Sequence, residues 1–351
     1  MLRLFETGMK VKIVDPRKVS SYDFPTGGTP KAQLHFLLNY AVLAPSGHNA
    51  QPWLFRFADE GVELVFNRSR ALAIVDPDNR EMIISCGAAL GNLEVAARYF
   101  GYQANIQLGS FLGNPDCLAK VTLSKGTLPT ANDIALFEVI RVRQTNRSAF
   151  TSEKIPEGAL SQCVEAAAAV AVEFSYRSDH KTKSEIAKLT MSADKTQFSK
   201  PWFRVELASW MHSNKRDGKD GMSAYRFGLP DVFTPIAGFL IRTFNLGNRV
   251  AQSNKRRIEA GSPVLGVFAT QSDQPNDWVN TGRALAQVLL IFTSVGFSAS
   301  YLNQSIEINS LRRQLHKEFN ALAYPQIMLR IGRAEMAAFS VRRSVDDCII
   351  D

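Results

Sequence analysis

The sequence is poor in the features that mark several protein classes. Its four cysteines, Cys86, Cys117, Cys163 and Cys348, are scattered through 351 residues with no CxxC pair, which speaks against a zinc knuckle, a redox dithiol or a disulfide scaffold. The longest uncharged apolar stretch of helical character, Ala284 to Phe297, falls short of the roughly 18 to 20 residues needed to cross a bilayer. It reads as a buried helix. Glu6, Lys10, Lys12 and Asp15 interrupt the place where a secretory leader would need an apolar core, so a cytoplasmic protein is expected. His35, His180, His212 and His316 show no metal-ligand spacing, and the acidic residues form no conspicuous pair, so neither a metal nor an acid–base couple is expected. Gly261 and Gly266 are spaced as in a P-loop, but Val267 and Phe268 stand where Lys and Ser/Thr are required. No GxGxxG follows a strand, which argues against a Rossmann dehydrogenase.

What is present describes a globular chain, 45% hydrophobic and 21% charged, with a formal net charge of +8. It is long enough for one large or two modest domains. The basic residues sit in short clusters, among them Arg141/Arg143/Arg147, Lys255/Arg256/Arg257 and Arg330/Arg333. Such clusters are also ordinary solvated faces or helix ends. A small phosphate-bearing ligand accounts for one or two of them at least as well as a polynucleotide does.

The spacing predicts helices over 31–44, 82–100, 133–142 and 157–169, and strands over 53–57, 62–66, 104–108, 172–176, 264–269 and 326–331. The stretch 202–248, rich in Gly and aromatic residues, reads as an irregular insertion or lid. Two helical segments align without gaps: Cys86 to Tyr102 against Thr281 to Phe297, sharing Gly87/Gly282, Ala89/Ala284, Leu90/Leu285 and Gly101/Gly296. Two amphipathic helices ending in Gly could match this far by chance, and a duplicated α+β unit fused in one chain is the competing explanation.

The most informative string is Ala44-Pro45-Ser46-Gly47-His48-Asn49-Ala50-Gln51-Pro52-Trp53. A helix ends at Pro45, a tight polar turn follows, and a strand begins. Its backbone N–H groups with the Asn49 and Gln51 amides offer donors and acceptors to the edge of a planar heterocycle. It reads equally as a helix-to-strand turn of ordinary turn formers.

PSGHNAQPW resembles the PS[SG]xNxQPW signature of the FMN-dependent nitroreductase superfamily, and the chain is most similar to its Acg-like, fused single-chain subgroup. The resemblance continues through ISCGAALGNLEVAARYFGY, IRVRQTNRSAF (140–150), NDWVNTGRALAQVLLIFTSVGFSASYLNQSIE and PQIMLRIGRA (325–334), covering about residues 30 to 335. It implies an α+β nitroreductase-like fold in which two tandem halves, 1–130 and 131–351, form an intramolecular pseudo-dimer with a lid-like insertion at about 202–248. The superfamily's RRSxR helix maps onto Arg143, Thr145 and Arg147, with Gln144 departing from the second Arg. The resemblance makes these residues, with Arg330 or Arg333, the holders of an FMN phosphate. It sets Pro45, Ser46, Gly47, His48, Asn49 and Gln51 beside the flavin ring, and runs Ser300, Tyr301, Leu302 and Asn303 past flavin N5.

Since each superfamily motif occurs in only one half, one complete FMN site and one vestigial site are implied. The implied activity is ping-pong reduction of nitroaromatics, quinones or similar acceptors by NAD(P)H through flavin N5, with no catalytic acid or base assigned and His48 placed among the flavin contacts. The alternative is a protein that holds FMN under a lid with little turnover. A small-molecule electron acceptor is the expected partner; nucleic acid and membrane are not. The chain is expected to be a monomer, with further dimerisation left open.

Overall fold

The computed structural model describes residues 15–59, 61–109, 114–213, 218–224, 230–321 and 323–351. The first half begins with helix α1 (Pro30–Ala41), started by Pro30 and by the Thr29 hydroxyl, which accepts from the Ala32 N–H at 3.2 Å. Its Leu34, Leu37, Leu38 and Ala41 recur on one face and are buried. Strands β1 (Trp53–Ala58) and β2 (Gly61–Phe66) pair antiparallel across a turn in which Asp59 takes φ 51°. Helix α2 (Arg80–Tyr99), strands β3 (Tyr102–Leu108) and β4 (Cys117–Lys125) and helix α3 (Ala131–Val139) follow.

After α3, which by the expected boundary at residue 131 already belongs to the second half, come helix α4 (Glu157–Ala168) and strand β5 (Glu173–Arg177). Four helices then intervene: α5 (His180–Ser199), α6 (Pro201–Ser209), α7 (Thr234–Thr243) and α8 (Gly247–Glu259). Strand β6 (Val264–Thr270), helix α9 (Pro275–Ser294), strand β7 (Ser298–Tyr301), helix α10 (Asn309–Phe319) and strands β8 (Tyr324–Gly332) and β9 (Ile349–Ile350) complete the chain.

Strand order exposes the internal relationship. One sheet runs β3-β4-β2-β1-β9 and the other β7-β8-β6-β5. With β9 set aside, the two orders coincide element for element, every equivalent neighbour pair is antiparallel, and α2 and α9 occupy the same place between the second and third strands of their halves. The two helices pack on each other at their small residues. A Cβ on Gly87 would overlap the Val279 carbonyl oxygen, and one on Gly282 would overlap the Ile84 carbonyl oxygen. These two contacts are images of each other under the offset that aligns the repeat. Gly101 and Gly296, which end the two helices' turns, carry φ of 77° and 81°, where glycine is least strained. The internal match thus reflects a pseudo-dimer, with one hydrophobic core running through both halves.

Two features differ from the pattern read in the sequence. The segment between β5 and β6 is helical in part: within 202–248, expected to be irregular, α6, α7 and the start of α8 are helices while the described residues of 210–233 are not α-helical, and the insertion reaches back to His180. α5 and α8 pack as a pair that buries Ile186, Ala187, Ala193, Ala251 and Ile258, so sparse apolar residues on two polar helices suffice once they face each other. Residues 298–301, in which no strand was predicted, form β7 against β8 because the next strand supplies a ladder that local sequence does not reveal. The C-terminal strand β9 crosses back to pair parallel with β1. Among the described residues no helix is long and apolar enough to cross a membrane.

Candidate functional site

The turn after α1 is held in an uncommon backbone conformation. His48, Asn49 and Gln51 have φ of 48°, 58° and 51°, a left-handed run that L-residues sustain only when their surroundings fix it. The Gln51 N–H donates to Ser46 Oγ at 2.9 Å. Arg342 Nη1 donates to Asn49 Oδ1 at 2.7 Å, the Asn49 amide donates to the Val341 carbonyl at 3.2 Å, and the Arg343 N–H donates to Gln51 Oε1 at 2.8 Å. Gln51 Nε2 donates to the Lys219 carbonyl at 2.7 Å. The two amides expected to meet a heterocycle therefore grip the chain's C-terminal arm and the 218–224 segment.

Beside this turn lies a cavity of about 580 Å³. Pro45, Ser46, Gly47 and His48 line it from the first half, and Ser300, Tyr301, Leu302 and Asn303 from β7 and the turn beyond. Arg147 and Arg330 reach it from the segment before α4 and from β8, and α5 to α8 build a further wall that includes Phe198, Phe203, Leu240 and Val250. Asn49, Gln51, Arg143, Thr145 and Arg333 lie outside its lining. Arg143 is buried behind it, close enough to act on Tyr301 by its charge, and Thr145 forms a parallel bridge to Ala299. Arg333 pairs with Glu153 at 2.7 Å, half exposed, with its guanidinium over Phe297.

One end of the cavity is cationic. Arg147, Arg257 and Arg330 all line it. Arg330 is 2% exposed and lies 4.3 Å over the Phe150 ring, and its Nη1 has no acceptor among the described residues. Burial, reinforced by the like charges of Arg257 and Arg147, pulls its guanidinium down to about 9. The same end acts on His48: burial, then the Arg147 charge, lowers its imidazole to about 4, so the ring is neutral at pH 7. Arg257 belongs to a basic cluster visible in the sequence but far from the recognised motifs, and α8 carries it to the site. Only its place in a run of charge could have drawn attention to it.

The cavity also holds carboxyls. Burial raises Glu81 to about 7 against the pull of Arg80, and raises Asp194 to about 6 against the hydrogen bonds of Asn254 and Gln304. Glu307 is raised well above the ordinary carboxyl range, by burial and then by Glu81. Glu81 Oε1 accepts from Asn303 Nδ2 and from Arg80 Nη2, both at 3.1 Å. No group of His, Cys, Asp and Glu suited to a metal occurs among the described residues.

No protein-family model matches the chain. It is 30% identical over 305 residues to the Mycobacterium tuberculosis protein named "Putative NAD(P)H nitroreductase Rv3131", covering 86% of this chain and 85% of that one. The chain belongs to the nitroreductase family. A second relative from M. tuberculosis, named "Putative NAD(P)H nitroreductase acg", is 26% identical over 315 residues, covering 88% and 92% of the two chains. Among solved structures, the FMN-dependent nitroreductase NfnB of Mycobacterium smegmatis in complex with NADPH aligns with 62% of this chain and 93% of its own, at 12% identity and a TM-score of 0.36.

In this nitroreductase the two halves are unequal at the equivalent places. Where the first half inserts the long polar turn between α1 and β1, the second joins α4 to β5 through Ala169, Val170, Ala171 and Val172, which carry no side-chain hydrogen-bonding group.

Proposed function

We propose that the protein binds one FMN per chain and uses it to pass electrons from NAD(P)H to small electron-poor acceptors, nitroaromatics and quinones among them. The observation that carries this reading is the convergence of Arg147, Arg257 and Arg330 on one end of the cavity, where burial, and then the like charges of Arg257 and Arg147, already weaken the proton affinity of Arg330. Such a cluster is relieved by a buried anion, and a phosphate dianion takes two or three charge-assisted donors. The buried Arg330 Nη1, with no acceptor among the described residues, fits that demand. The cavity volume falls within the range of cofactor sites.

In this reading Arg147, Arg257 and Arg330 hold the phosphate, the Pro45–His48 backbone and the Ser300–Asn303 run flank the ring system, and Arg143 supports Tyr301 from behind. Bound FMN supplies hydride chemistry that no amino-acid side chain offers. The chain's own part is to orient and to exclude water: Leu72, Ile84, Leu285 and Ile327 give the cavity apolar walls, and α5 to α8 cover it. His48, neutral at pH 7, serves as a hydrogen-bonding group without adding charge. Glu81 holds a proton over part of the neutral range, and with Oε1 taken by Asn303 and Arg80 that proton sits on Oε2.

The extent of the α5–α8 wall also supports a second reading, in which the protein holds FMN with little turnover. Anaerobic addition of excess NAD(P)H to the FMN-loaded protein separates the two. Bleaching of the flavin absorbance, reversed by nitrofurazone or menadione, is expected; flavin that stays oxidised would leave the holding role. Failure to retain any FMN after incubation would sink both.

A further inference from the structure

The outer surface of the α5–α8 insertion is unusually apolar. Trp202 of α6 is 72% exposed, Val232 69%, Ile236 and Phe239 of α7 53% and 54%, and Phe244 51%. α7 is apolar on both sides, since Ala237 and Ile241 line the cavity while Ile236 and Phe239 face outward. A helix apolar all round ordinarily has cover on all sides, and contiguous exposed patches of large apolar residues mark docking surfaces.

The charge around the patch identifies what would cover it. Lys200 and Arg242 are exposed, lie outside the cavity lining and make no ion pair among the described residues. The acids described between 200 and 250 are turned inward or already paired. Glu206 accepts from the Ile74 and Val75 N–H groups, Asp220 pairs with Arg70 and His212, and Asp231 accepts from the Ser213 and Thr234 hydroxyls. The patch thus combines Trp and Phe side chains with uncompensated cations. A second copy docking face to face would set this basic rim against its own image. An anionic lipid headgroup layer answers it, and aromatic residues beside Lys and Arg form the pattern of interfacial helices.

We propose that the outer face of α6 and α7 docks on an anionic bilayer surface, with no segment crossing it. Leu240 is 41% exposed and also lines the cavity, so α7 is the element that joins the docked face to the cavity wall. The absence of a membrane partner expected from the sequence rested on the lack of a spanning helix and on the scatter of the basic residues in short clusters. With 202–248 read as irregular chain, its aromatic residues had no common face.

Flotation of the full chain with vesicles of phosphatidylcholine, with and without phosphatidylglycerol, tests the proposal. Binding is expected only with the anionic lipid and is expected to fall with rising salt. Trp202→Ser, Phe239→Ser and the pair Lys200→Glu/Arg242→Glu should each weaken it by about tenfold or more. Thermal melts show which variants remain folded, and the highly exposed Trp202 and Arg242 keep the test open if Phe239→Ser destabilises the lid. No binding to anionic vesicles, binding indifferent to headgroup charge, or a concentration-dependent dimer in sedimentation that Trp202→Ser dissolves would each overturn the proposal, the last by assigning the face to a second copy.

Discussion

At the scale of residues, the arginines and His48 carry the sharpest tests. Arg330 and Arg147 face the cavity, whereas Arg333, also a candidate from the sequence, pairs with Glu153 outside it. Arg147→Ala and Arg330→Ala should each weaken FMN binding by about 1.5 to 3 kcal/mol, the worth of one charge-assisted hydrogen bond, in a flavin fluorescence titration. Arg333→Ala should leave the dissociation constant near that of the parent. The reverse ranking would move the phosphate to the Glu153 side of β8. His48 gives a pH signature. Its folded value of about 4 lies below the ordinary 6.5, so between those values the unfolded chain binds a proton that the folded chain refuses. Stability is lost as pH falls through that window. His48→Asn, which tolerates the left-handed φ, removes this contribution. In urea unfolding of FMN-free protein the parent should lose up to about 3 kcal/mol relative to the variant between pH 7 and pH 4. A pH-independent difference would mean that the ring is not held neutral.

At the scale of elements, the α2–α9 crossing sets what the fold tolerates. Gly87 and Gly282 each face a carbonyl oxygen of the opposite helix, so a methyl group at either position separates the backbones that define the pseudo-dimer interface. Gly87→Ala and Gly282→Ala should each cost about 3 kcal/mol or more, at the upper end of overpacking penalties. Gly158→Ala, in the first turn of α4 with open space around it, should be neutral or raise stability by up to about 1 kcal/mol. Melting temperatures decide, and equal shifts at all three positions would refute the crossing.

This crossing was legible in the sequence as the Cys86–Tyr102 and Thr281–Phe297 match, because small residues at a helix interface leave a periodic trace. The β1–β2 hairpin and β6 were legible for the same reason, through alternation or continuous apolarity. β7 and β9 were not, since each is short and made by a partner strand distant in the chain. The directions of the Asn49 and Gln51 amides were also hidden: their partners, Val341, Arg342 and Arg343, lie nearly the whole chain away.

At the scale of the molecule, the arm that follows β8 belongs in sequence to the second half and in space to the first. Arg342 and Arg343 bind the strained 45–51 turn, Asp347 pairs with Lys219 beside the lid at 2.7 Å, and β9 extends the first sheet along β1. No residue from 341 onward lines the cavity, so apart from the charge of Arg342, which acts on Tyr301, the arm affects the site through the turn and the 218–224 segment. The left-handed backbone of the turn at His48, Asn49 and Gln51 is costly on its own, by about 1 to 3 kcal/mol for each such residue, and the arm supplies hydrogen bonds that offset it. Removal of residues 341–351 should therefore release the turn while sparing the second sheet. Hydrogen exchange read by mass spectrometry should show faster exchange at 45–52 and 218–224, β6 and β8 unchanged, and FMN affinity reduced together with that loosening. Exchange in the turn that stays slow without the arm would show that the turn is held by its own local contacts and that the arm serves only the edge of the first sheet.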